Sequence, residues 1–150
     1  MILSIYLYGQ PVLRKQTEEL TPSPELTTFI ADMYETLTQA EGCGLAAPQV
    51  GKPWRLFIVD GTELAEDYPE CEGFKKTFIN PEIIEKCGEQ EEIEGCLSVP
   101  NEYGYTKRPE RVVCRALDRN GNTFEIEGTG LLARCLCHET DHLDGVMFTD

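Results

Sequence analysis

The chain has 150 residues, a mass of 16.9 kDa and a formal net charge of −14 at pH 7. A chain of this length is predicted to fold as one domain, residues 1 to 150, with a buried core of its own. The negative charge argues against direct binding of nucleic acid, because phosphate backbones bind basic surfaces. No run of about 18 apolar residues is present, so no membrane span is predicted.

The N-terminal segment MILSIYLYGQ has neither the basic start nor the small-residue cleavage site of a signal peptide. Its apolar residues predict an entering strand. Without an export signal, the odd number of seven cysteines argues against a disulfide framework and predicts a reducing, cytoplasmic location. Most of these thiols are expected to be small buried hydrophobic groups.

Residues 23 to 40 predict the first helix. Ser23 is a candidate N-cap, Pro24 suits the first helical position, and Gly42 is expected to end the helix. Apolar residues recur at helical spacing and mark a buried face. They are Leu26, Phe29, Ile30, Met33 and Leu37.

The middle of the chain predicts short strands. The run RLFIVD at 55 to 60 indicates a buried strand, and 77 to 95 indicates strand, turn and strand. The polar segment between them, 65 to 76, predicts a surface excursion. The preceding segment 42 to 51, GCGLAAPQVG, has too many glycines for a helix and too few polar residues for a solvated loop.

The last third of the chain predicts a hairpin followed by a helix. Residues 111 to 128 alternate around Asn120-Gly121, a favoured tight-turn pair. Thr129 is a candidate N-cap for the final helix and Gly145 a natural end. One helix, several short antiparallel strands and a second helix predict an α+β fold, with the strands packed around the C-terminal helix.

The only two histidines, His138 and His142, lie four residues apart with Glu139 between them. On a helix this spacing projects both imidazoles to one side, where they can bind one metal ion. The carboxylate can reach a water on that ion and take its proton. The motif HExxH therefore predicts a hydrolytic metal site.

A catalytic site of this kind needs a third protein ligand. The extended pattern HExxHxxGxxH places Phe148 where a third histidine would stand, so the ligand must come from upstream. Cys96 is the best candidate, because it lies in a short segment in which Pro100 is expected to prevent a regular strand. Cys135 and Cys137 are rivals, and buried packing is the favoured alternative for both.

Two further segments suggest roles beside a metal. The glycines near Gly44 and Gly95 could let a ligand backbone approach closely, although a simple turn is the alternative for the first segment. An amide at Gln49 could donate a hydrogen bond to oxygen charge that develops during hydrolysis.

Three segments together resemble the signature motifs of the peptide deformylases, in the same order. They are GCGLAAPQ at 42 to 49, EGCLS at 94 to 98 and HETDH at 138 to 142. The resemblance covers nearly the whole chain and implies a single deformylase-like catalytic domain. It further implies an enzyme that removes the formyl group from the N-terminal methionine of new polypeptides and releases formate.

The resemblance also assigns roles in the metal site. Cys96, His138 and His142 would hold one divalent ion, natively Fe²⁺, with Zn²⁺, Ni²⁺ or Co²⁺ able to replace it. Water would occupy the fourth position. Glu139 would act as general base and then deliver a proton to the leaving amine.

For the substrate, the resemblance implies oxyanion stabilisation by Gln49 and the backbone N–H of Leu97. The N-formylmethionyl peptide would lie as an added strand beside Gly44, Leu45 and Gly95. Its methionine side chain would enter an apolar pocket near the metal-binding helix.

One departure from the family pattern concerns the C-terminus. Bacterial members usually continue with a helix after the stretch that matches GVMFTD, and in some relatives that tail contacts the ribosome. This chain stops at Asp150. We therefore expect a catalytic domain without the usual tail and, at most, transient proximity to the ribosome.

Two other functions are compatible with parts of the sequence. A general HExxH peptidase would share the histidine pair, but the missing downstream ligand counts against it. A catalytically silent module that caps nascent chain ends would not need the combination of Glu139, Gln49 and Cys96.

Overall fold

The computed structural model describes residues 1–150 and contains two helices and two antiparallel sheets. The helices are α1 (Leu26–Ala40) and α2 (Gly130–Leu143). The strands are β1 (Gly44–Ala46), β2 (Leu56–Asp60), β3 (Lys75–Cys87), β4 (Gln90–Cys96), β5 (Val99–Arg108), β6 (Arg111–Leu117) and β7 (Thr123–Thr129). Five strands form one sheet in the order β1-β2-β3-β6-β7, while β4 and β5 form a separate two-stranded ribbon. The predicted α+β architecture is confirmed.

The five-stranded sheet carries one helix on each face. On β2, Phe57 and Val59 pack into a core shared with α2, whereas Leu56 and Ile58 pack into a core shared with α1. Alternate side chains of a strand point to opposite faces, so a strand covered on both sides must be apolar throughout. This double burial explains the continuous apolar run that predicted β2.

Helix α1 buries the predicted stripe, with Phe29 at its partly exposed edge. Its ends differ from the prediction. The helix begins at Leu26, and Ser23 assists through its backbone carbonyl, which accepts the Leu26 N–H at 3.1 Å, rather than through its side chain. At the other end Glu41, with φ +58°, adopts the left-handed conformation that was expected of Gly42.

Helix α2 is buried on nearly all sides, from Leu132 to Thr140 without interruption. It follows Thr129, as predicted, although the Thr129 side chain makes no capping hydrogen bond. The helix ends at Leu143, and Gly145 takes φ +76° just beyond it. Because this helix has no solvent-facing stripe, its polar side chains must find partners inside the protein.

The N-terminal segment is not a strand, contrary to the prediction. Residues 1 to 7 form no ladder with a neighbouring strand. Instead two backbone hydrogen bonds anchor it: the Tyr6 N–H donates to the Gln49 carbonyl and the Tyr8 N–H to the Ser98 carbonyl, both at 2.7 Å. Apolar composition alone does not distinguish such an anchored segment from a strand.

The strand, turn and strand predicted at 77 to 95 correspond to β3 and β4, and β4 pairs with β5. The prediction for Pro100 needs correction. Pro100 lies inside β5, and the chain reverses at Leu97 and Ser98 instead. A proline is tolerated there because a two-stranded ribbon has two edges, and its missing N–H can face away from the partner strand.

The β6–β7 hairpin is confirmed, but its turn is longer than a two-residue turn. Leu117 pairs with Thr123, and of the five connecting residues only Gly121 has a positive φ, +84°. The Asp118 carboxylate accepts the N–H groups of Asn120 and Asn122 at 2.8 and 3.0 Å, which favours the longer turn.

The predicted surface excursion at 65 to 76 is exposed for much of its length, but it is anchored at two points. Cys71 is fully buried, and the Glu70 carboxylate accepts the N–H of Leu131 at the start of α2 at 2.9 Å. Neither α1 nor α2 has the length and apolar composition required of a membrane-crossing helix.

Candidate metal centre

Three potential metal ligands converge where α2 passes the end of β4. The Nε2 atoms of His138 and His142 lie 3.1 Å apart, and the Cys96 sulfur lies 3.3 Å from the His142 Nε2 atom. All three atoms lie within 4.8 Å of one another. The structure therefore brings together the three residues that the sequence suggested as ligands.

The donor set fits one tetrahedral ion. Metal bonds of about 2.0–2.1 Å to nitrogen and about 2.3 Å to sulfur leave donor atoms roughly 3.3 to 3.6 Å apart, close to the spacings here. Three protein ligands also leave one position open, as in catalytic rather than structural sites. A thiolate with two imidazoles suits a transition-metal ion such as Fe²⁺ or Zn²⁺ better than Mg²⁺ or Ca²⁺.

The rival cysteines lie outside this group. Cys137 packs into the core between α2 and the sheet. Cys135 also belongs to that core, and its sulfur lies 3.3 Å from the sulfur of Cys43.

Glu94 orients one of the imidazoles, a role that no pattern in the sequence indicated. Its carboxylate lies 2.9 Å from His138 Nδ1 and accepts two hydrogen bonds from Arg108, both at 2.9 Å. Burial would raise the pKa of Glu94, but His138 and Arg108 hold it at about 2. An ionised Glu94 accepts the His138 Nδ1 proton, so Nε2 is the nitrogen that faces His142 and Cys96.

The two imidazoles differ in their electrostatics. Burial keeps the pKa of His142 well below its ordinary value, so this ring is a neutral ligand. Burial also acts to lower the pKa of His138, but contacts with Cys96 and Glu94 raise it to about 10. A divalent cation must therefore displace a proton from this cluster, and metal binding should release acid.

Glu139 lies beside the ligands without belonging to them. One carboxylate oxygen, Oε2, is 4.0 Å from His138 Nε2, and the other has no hydrogen-bond partner in the protein. The side chain is almost completely buried, and this burial raises the pKa of Glu139 to about 7. A carboxylate with this pKa can both accept and return a proton near neutral pH.

Gly44 makes the position of Glu139 possible. A Cβ atom on Gly44 would lie 2.8 Å from Glu139 Oε2, closer than side-chain carbons approach in practice. The glycine proposed to bind substrate thus has a second role, which is to leave room for the buried carboxylate.

Gln49 is held by two hydrogen bonds next to Cys96. Its Oε1 atom accepts the Ala46 N–H at 2.9 Å, and its Nε2 atom donates to Ser98 Oγ at 3.1 Å. The same Nε2 atom lies 3.6 Å from the Cys96 sulfur. The backbone N–H of Leu97, in the turn after Cys96, makes no hydrogen bond within the chain. The Gln49 amide therefore lies beside the sulfur, and the next residue along the chain has an N–H without an acceptor.

These groups line a groove of about 540 Å³ between β1 and β4. Strand β1 is an end strand of its sheet and β4 belongs to the ribbon, so each has one unpaired edge. Leu45 can meet a ligand only through its backbone, because its side chain is fully buried in the α1 core. Gly95 is exposed, and the Tyr103 ring packs against its Cα.

Comparison of the sequence with known protein families shows which family the chain belongs to. The family described as polypeptide deformylase matches residues 2–150, which is nearly the whole chain. The chain belongs to the peptide deformylase family.

Peptide deformylases from several bacteria are similar over most of their length. The relative from Salinibacter ruber is 46% identical, with 100% of this chain and 80% of the relative covered. The relative from Acetivibrio thermocellus is 48% identical over 95% of this chain and 78% of its own.

Solved structures of peptide deformylases agree with the fold. The crystal structure from Legionella pneumophila has a TM-score of 0.90 at 43% identity and covers 100% of this chain and 85% of its own. The Synechococcus elongatus structure, a complex with actinonin, has a TM-score of 0.89 at 38% identity, covering 99% and 77%.

Family membership establishes the activity. The enzyme is a hydrolase that removes the N-formyl group from nascent polypeptides, a step of protein biosynthesis. Peptide deformylases are metalloenzymes, and the cluster of Cys96, His138 and His142 is a possible metal site in this one.

Proposed function

We propose that residues 1–150 form one catalytic domain in which Cys96, His138 and His142 hold a single divalent ion, Fe²⁺ in the native enzyme. Zn²⁺, Ni²⁺ or Co²⁺ can take its place, since the geometry suits all of them. The observation that supports this assignment most directly is the convergence of one sulfur and two Nε2 atoms within 4.8 Å.

When bound, the ion supplies a Lewis acid that lowers the pKa of a water molecule towards 7. With the ion held by Cys96, His138 and His142, Glu139 would take a proton from the water while the oxygen of that water attacks the formyl carbon. The same carboxylate then delivers the proton to the departing nitrogen as the C–N bond breaks. Formate and a peptide with a free amine are the products. The pKa of about 7 suits Glu139 to both steps.

Gln49 Nε2 and the Leu97 N–H stabilise the negative charge that develops on the formyl oxygen. Gln49 Nε2 lies 3.6 Å from the Cys96 sulfur, and the N–H of Leu97, the next residue, has no acceptor within the chain. Donors fixed before the reaction stabilise such charge without reorganising, which typically contributes about 10²–10³ in rate for each donor.

The substrate binds as an added strand in the groove, with main-chain contacts to Gly44, Leu45 and Gly95. The unpaired edges of β1 and β4 support this arrangement, because exposed N–H and C=O groups pair readily with an extended peptide. The methionine side chain then points towards Leu131 and Cys135, the apolar part of the groove on α2.

We further propose that the enzyme works in the cytoplasm, where formylated chains leave the ribosome, and that it meets the ribosome only transiently. Its activity on nascent polypeptides supports the location.

The test compares Glu139→Ala with Glu92→Ala, a change of an exposed carboxylate on β4. Both are loaded anaerobically with Fe²⁺ and assayed for formate release from a formyl-Met peptide. Glu139→Ala should lose about 10²–10⁴ of the rate, the usual contribution of a general base, while Glu92→Ala keeps it. Both should retain one metal per chain by elemental analysis.

Other results would contradict the assignment. Full activity in Glu139→Ala would show that Glu139 is not the general base. A Cys96→Ala variant that binds metal as tightly as the unsubstituted enzyme would remove the sulfur from the ligand set. A parallel assay with the unformylated Met peptide detects any cleavage of peptide bonds, which a general HExxH peptidase would show.

A further inference from the structure

Two thiols are in contact in the wall of the groove, and neither takes part in the proposed hydrolytic steps. Cys43 precedes β1 and Cys135 lies on α2, and both line the groove beside Glu139. Their sulfur atoms are 3.3 Å apart, although 92 positions separate them in the chain. The wall that carries Gly44 and the helix that carries Glu139 therefore meet at a pair of sulfurs.

The two sulfur atoms are in non-bonded contact, so a small movement would bring them to bonding distance. A disulfide has an S–S distance of about 2.05 Å, so the present gap of 3.3 Å needs to close by only about 1.2 Å. A small oxidant can reach Cys43, which is partly exposed on the groove wall, whereas Cys135 is buried behind it. The hydrogen bond with Cys135 also lowers the pKa of the Cys43 thiol, which favours its reaction as a thiolate.

We propose that Cys43 and Cys135 form a reversible disulfide when a hydroperoxide enters the groove, and that this bond switches the deformylase off. The Cys43 thiolate attacks one peroxide oxygen, the O–O bond breaks, and a sulfenic acid forms as the other oxygen leaves as water or alcohol. The Cys135 thiol then attacks the Cys43 sulfur, and the sulfenic oxygen leaves as water. The peroxide is reduced by two electrons and the two thiols are oxidised.

The loss of activity follows from the positions of Gly44 and Glu139, which lie close to the two cysteines in the chain. Gly44 is the residue after Cys43, and its Cα already lies against Glu139, with no space for even a Cβ atom. Glu139 is four residues after Cys135, one helical turn along α2. Drawing the sulfurs together presses Gly44 onto the Glu139 carboxylate. A misplacement of about 1 Å at a catalytic group can cost about 100-fold in rate.

The other cysteines are poorer candidates for this reaction. Burial raises the pKa of Cys71 to about 11 and that of Cys114 to about 12, so both stay as unreactive thiols. Cys87 is exposed near the far end of β3, outside the groove. Cys96 is engaged as the proposed metal ligand.

The experiment uses the enzyme loaded with Zn²⁺, an ion without redox chemistry of its own. The protein is treated with hydrogen peroxide, free thiols are blocked with N-ethylmaleimide, and non-reduced digests are analysed by mass spectrometry. We expect one cross-linked species that joins the peptides of Cys43 and Cys135, and an intact mass lower by two hydrogens. Formate release should fall about 100-fold and return after dithiothreitol.

Three variants sharpen the result, each compared with its own untreated sample. Cys43→Ala and Cys135→Ala should form no cross-link and lose no activity that dithiothreitol restores. Cys87→Ala, which removes the exposed thiol, should respond to peroxide like the unsubstituted enzyme.

The cross-link is detected independently of turnover, so its outcome is separate from that of the proposed function. The proposal is overturned if peroxide leaves Cys43 and Cys135 as free thiols, or if oxygen adds to Cys96 instead. A cross-link that forms in full while formate release is unchanged would also overturn it, since the switch would then be absent.

Discussion

At the scale of single residues, the site contains two buried carboxylates whose pKa values are shifted in opposite directions. Glu94 has Arg108 and His138 as partners, and its pKa is held at about 2. Glu139 has an oxygen without any partner, and burial raises its pKa to about 7. Partners, rather than depth, decide the difference, because a paired carboxylate stays ionised and an unpaired one becomes a proton acceptor near neutral pH.

Glu94→Gln should therefore change how stability depends on pH. The folded-state pKa of Glu94, about 2, lies below its ordinary value of 4.5, so its contribution is full above pH 4.5 and is lost as pH falls towards 2. This contribution amounts to roughly 3 kcal/mol. Urea unfolding between pH 7 and 3.5 should show a deficit in Glu94→Gln that narrows at the acid end.

The exposed neighbour Glu91 supplies the control for this measurement. Glu91→Gln should follow the unsubstituted protein at every pH. A deficit in Glu94→Gln that is constant over the whole range would show that the ionisation of Glu94 is not its cause.

Gly44→Ala should impair turnover more than folding. The new Cβ would lie 2.8 Å from Glu139 Oε2 and 2.9 Å from its Cδ, so the buried carboxylate must move. A shift of this kind should lower kcat/KM for a formyl-Met peptide by about 10- to 100-fold. Gly104→Ala is the control, because its Cβ would meet only Phe148 at 3.8 Å. Equal activity in the two variants would contradict the steric argument.

At the scale of elements, groups from other parts of the chain support the first turn of α2. Its N-cap residue, Thr129, makes no side-chain hydrogen bond, but Glu70 accepts the N–H of Leu131 and Gln90 donates to the carbonyl of Gly130 at 2.8 Å. An acceptor for a first-turn N–H replaces the missing cap, and its negative charge suits the helix N-terminus. The excursion that carries Glu70 thus fixes the start of α2.

Glu70→Ala should destabilise the protein by about 1 kcal/mol, the usual value of a helix cap. For a chain of this size that corresponds to a fall in Tm of about 2–4 °C. Glu72→Ala removes an exposed carboxylate two residues away and should leave Tm unchanged. Matching Tm values for the two variants in calorimetry would mean that the Glu70 bond adds nothing to stability.

At the scale of the whole molecule, negative charge is in large excess. There are 27 acidic residues and 13 Lys and Arg, which gives the net charge of −14. Many of the cations already pair with carboxylates, as Arg14 does with Asp150 and Arg55 with Asp144. The remaining carboxylates repel one another, and this repulsion opposes the compact state.

Salt should therefore stabilise the protein. Raising KCl from 0.02 to 0.5 M shortens the Debye length from roughly 20 Å to about 4 Å, which screens repulsion between distant surface charges. The midpoint of urea unfolding at pH 7 should move to higher urea. A midpoint that falls with salt would show that the surface ion pairs outweigh the repulsion.

Features that depend on the spacing of nearby residues were predictable from the sequence, whereas contacts between distant segments were not. The stripe of α1, the run of β2 and the pair His138 and His142 are local patterns, and they were predictable from spacing. Cys96 was expected as the third ligand from the residues around it and from the resemblance of EGCLS to a family motif, not from spacing. Local patterns did not show which strand β4 would pair with.

Two residues that shape the site were missed or only partly understood for the same reason. Glu94 comes shortly after the exposed Glu91 and Glu92, and only the fold reveals that it alone turns inward to Arg108. Gly44 was expected to approach substrate, yet its contact with Glu139 joins positions 95 residues apart. Contacts between residues so far apart in the chain produce no regular spacing that can be recognised in the sequence.

The unpaired edges of β1 and β4 bear on the breadth of peptides that the enzyme can process. A strand edge offers main-chain N–H and C=O groups, and every amino acid except proline presents the same complementary groups in return. Recognition through such edges is largely indifferent to the side chains after the initiating methionine. One small catalyst of this design can therefore serve the many unrelated chains that a cell begins to synthesise.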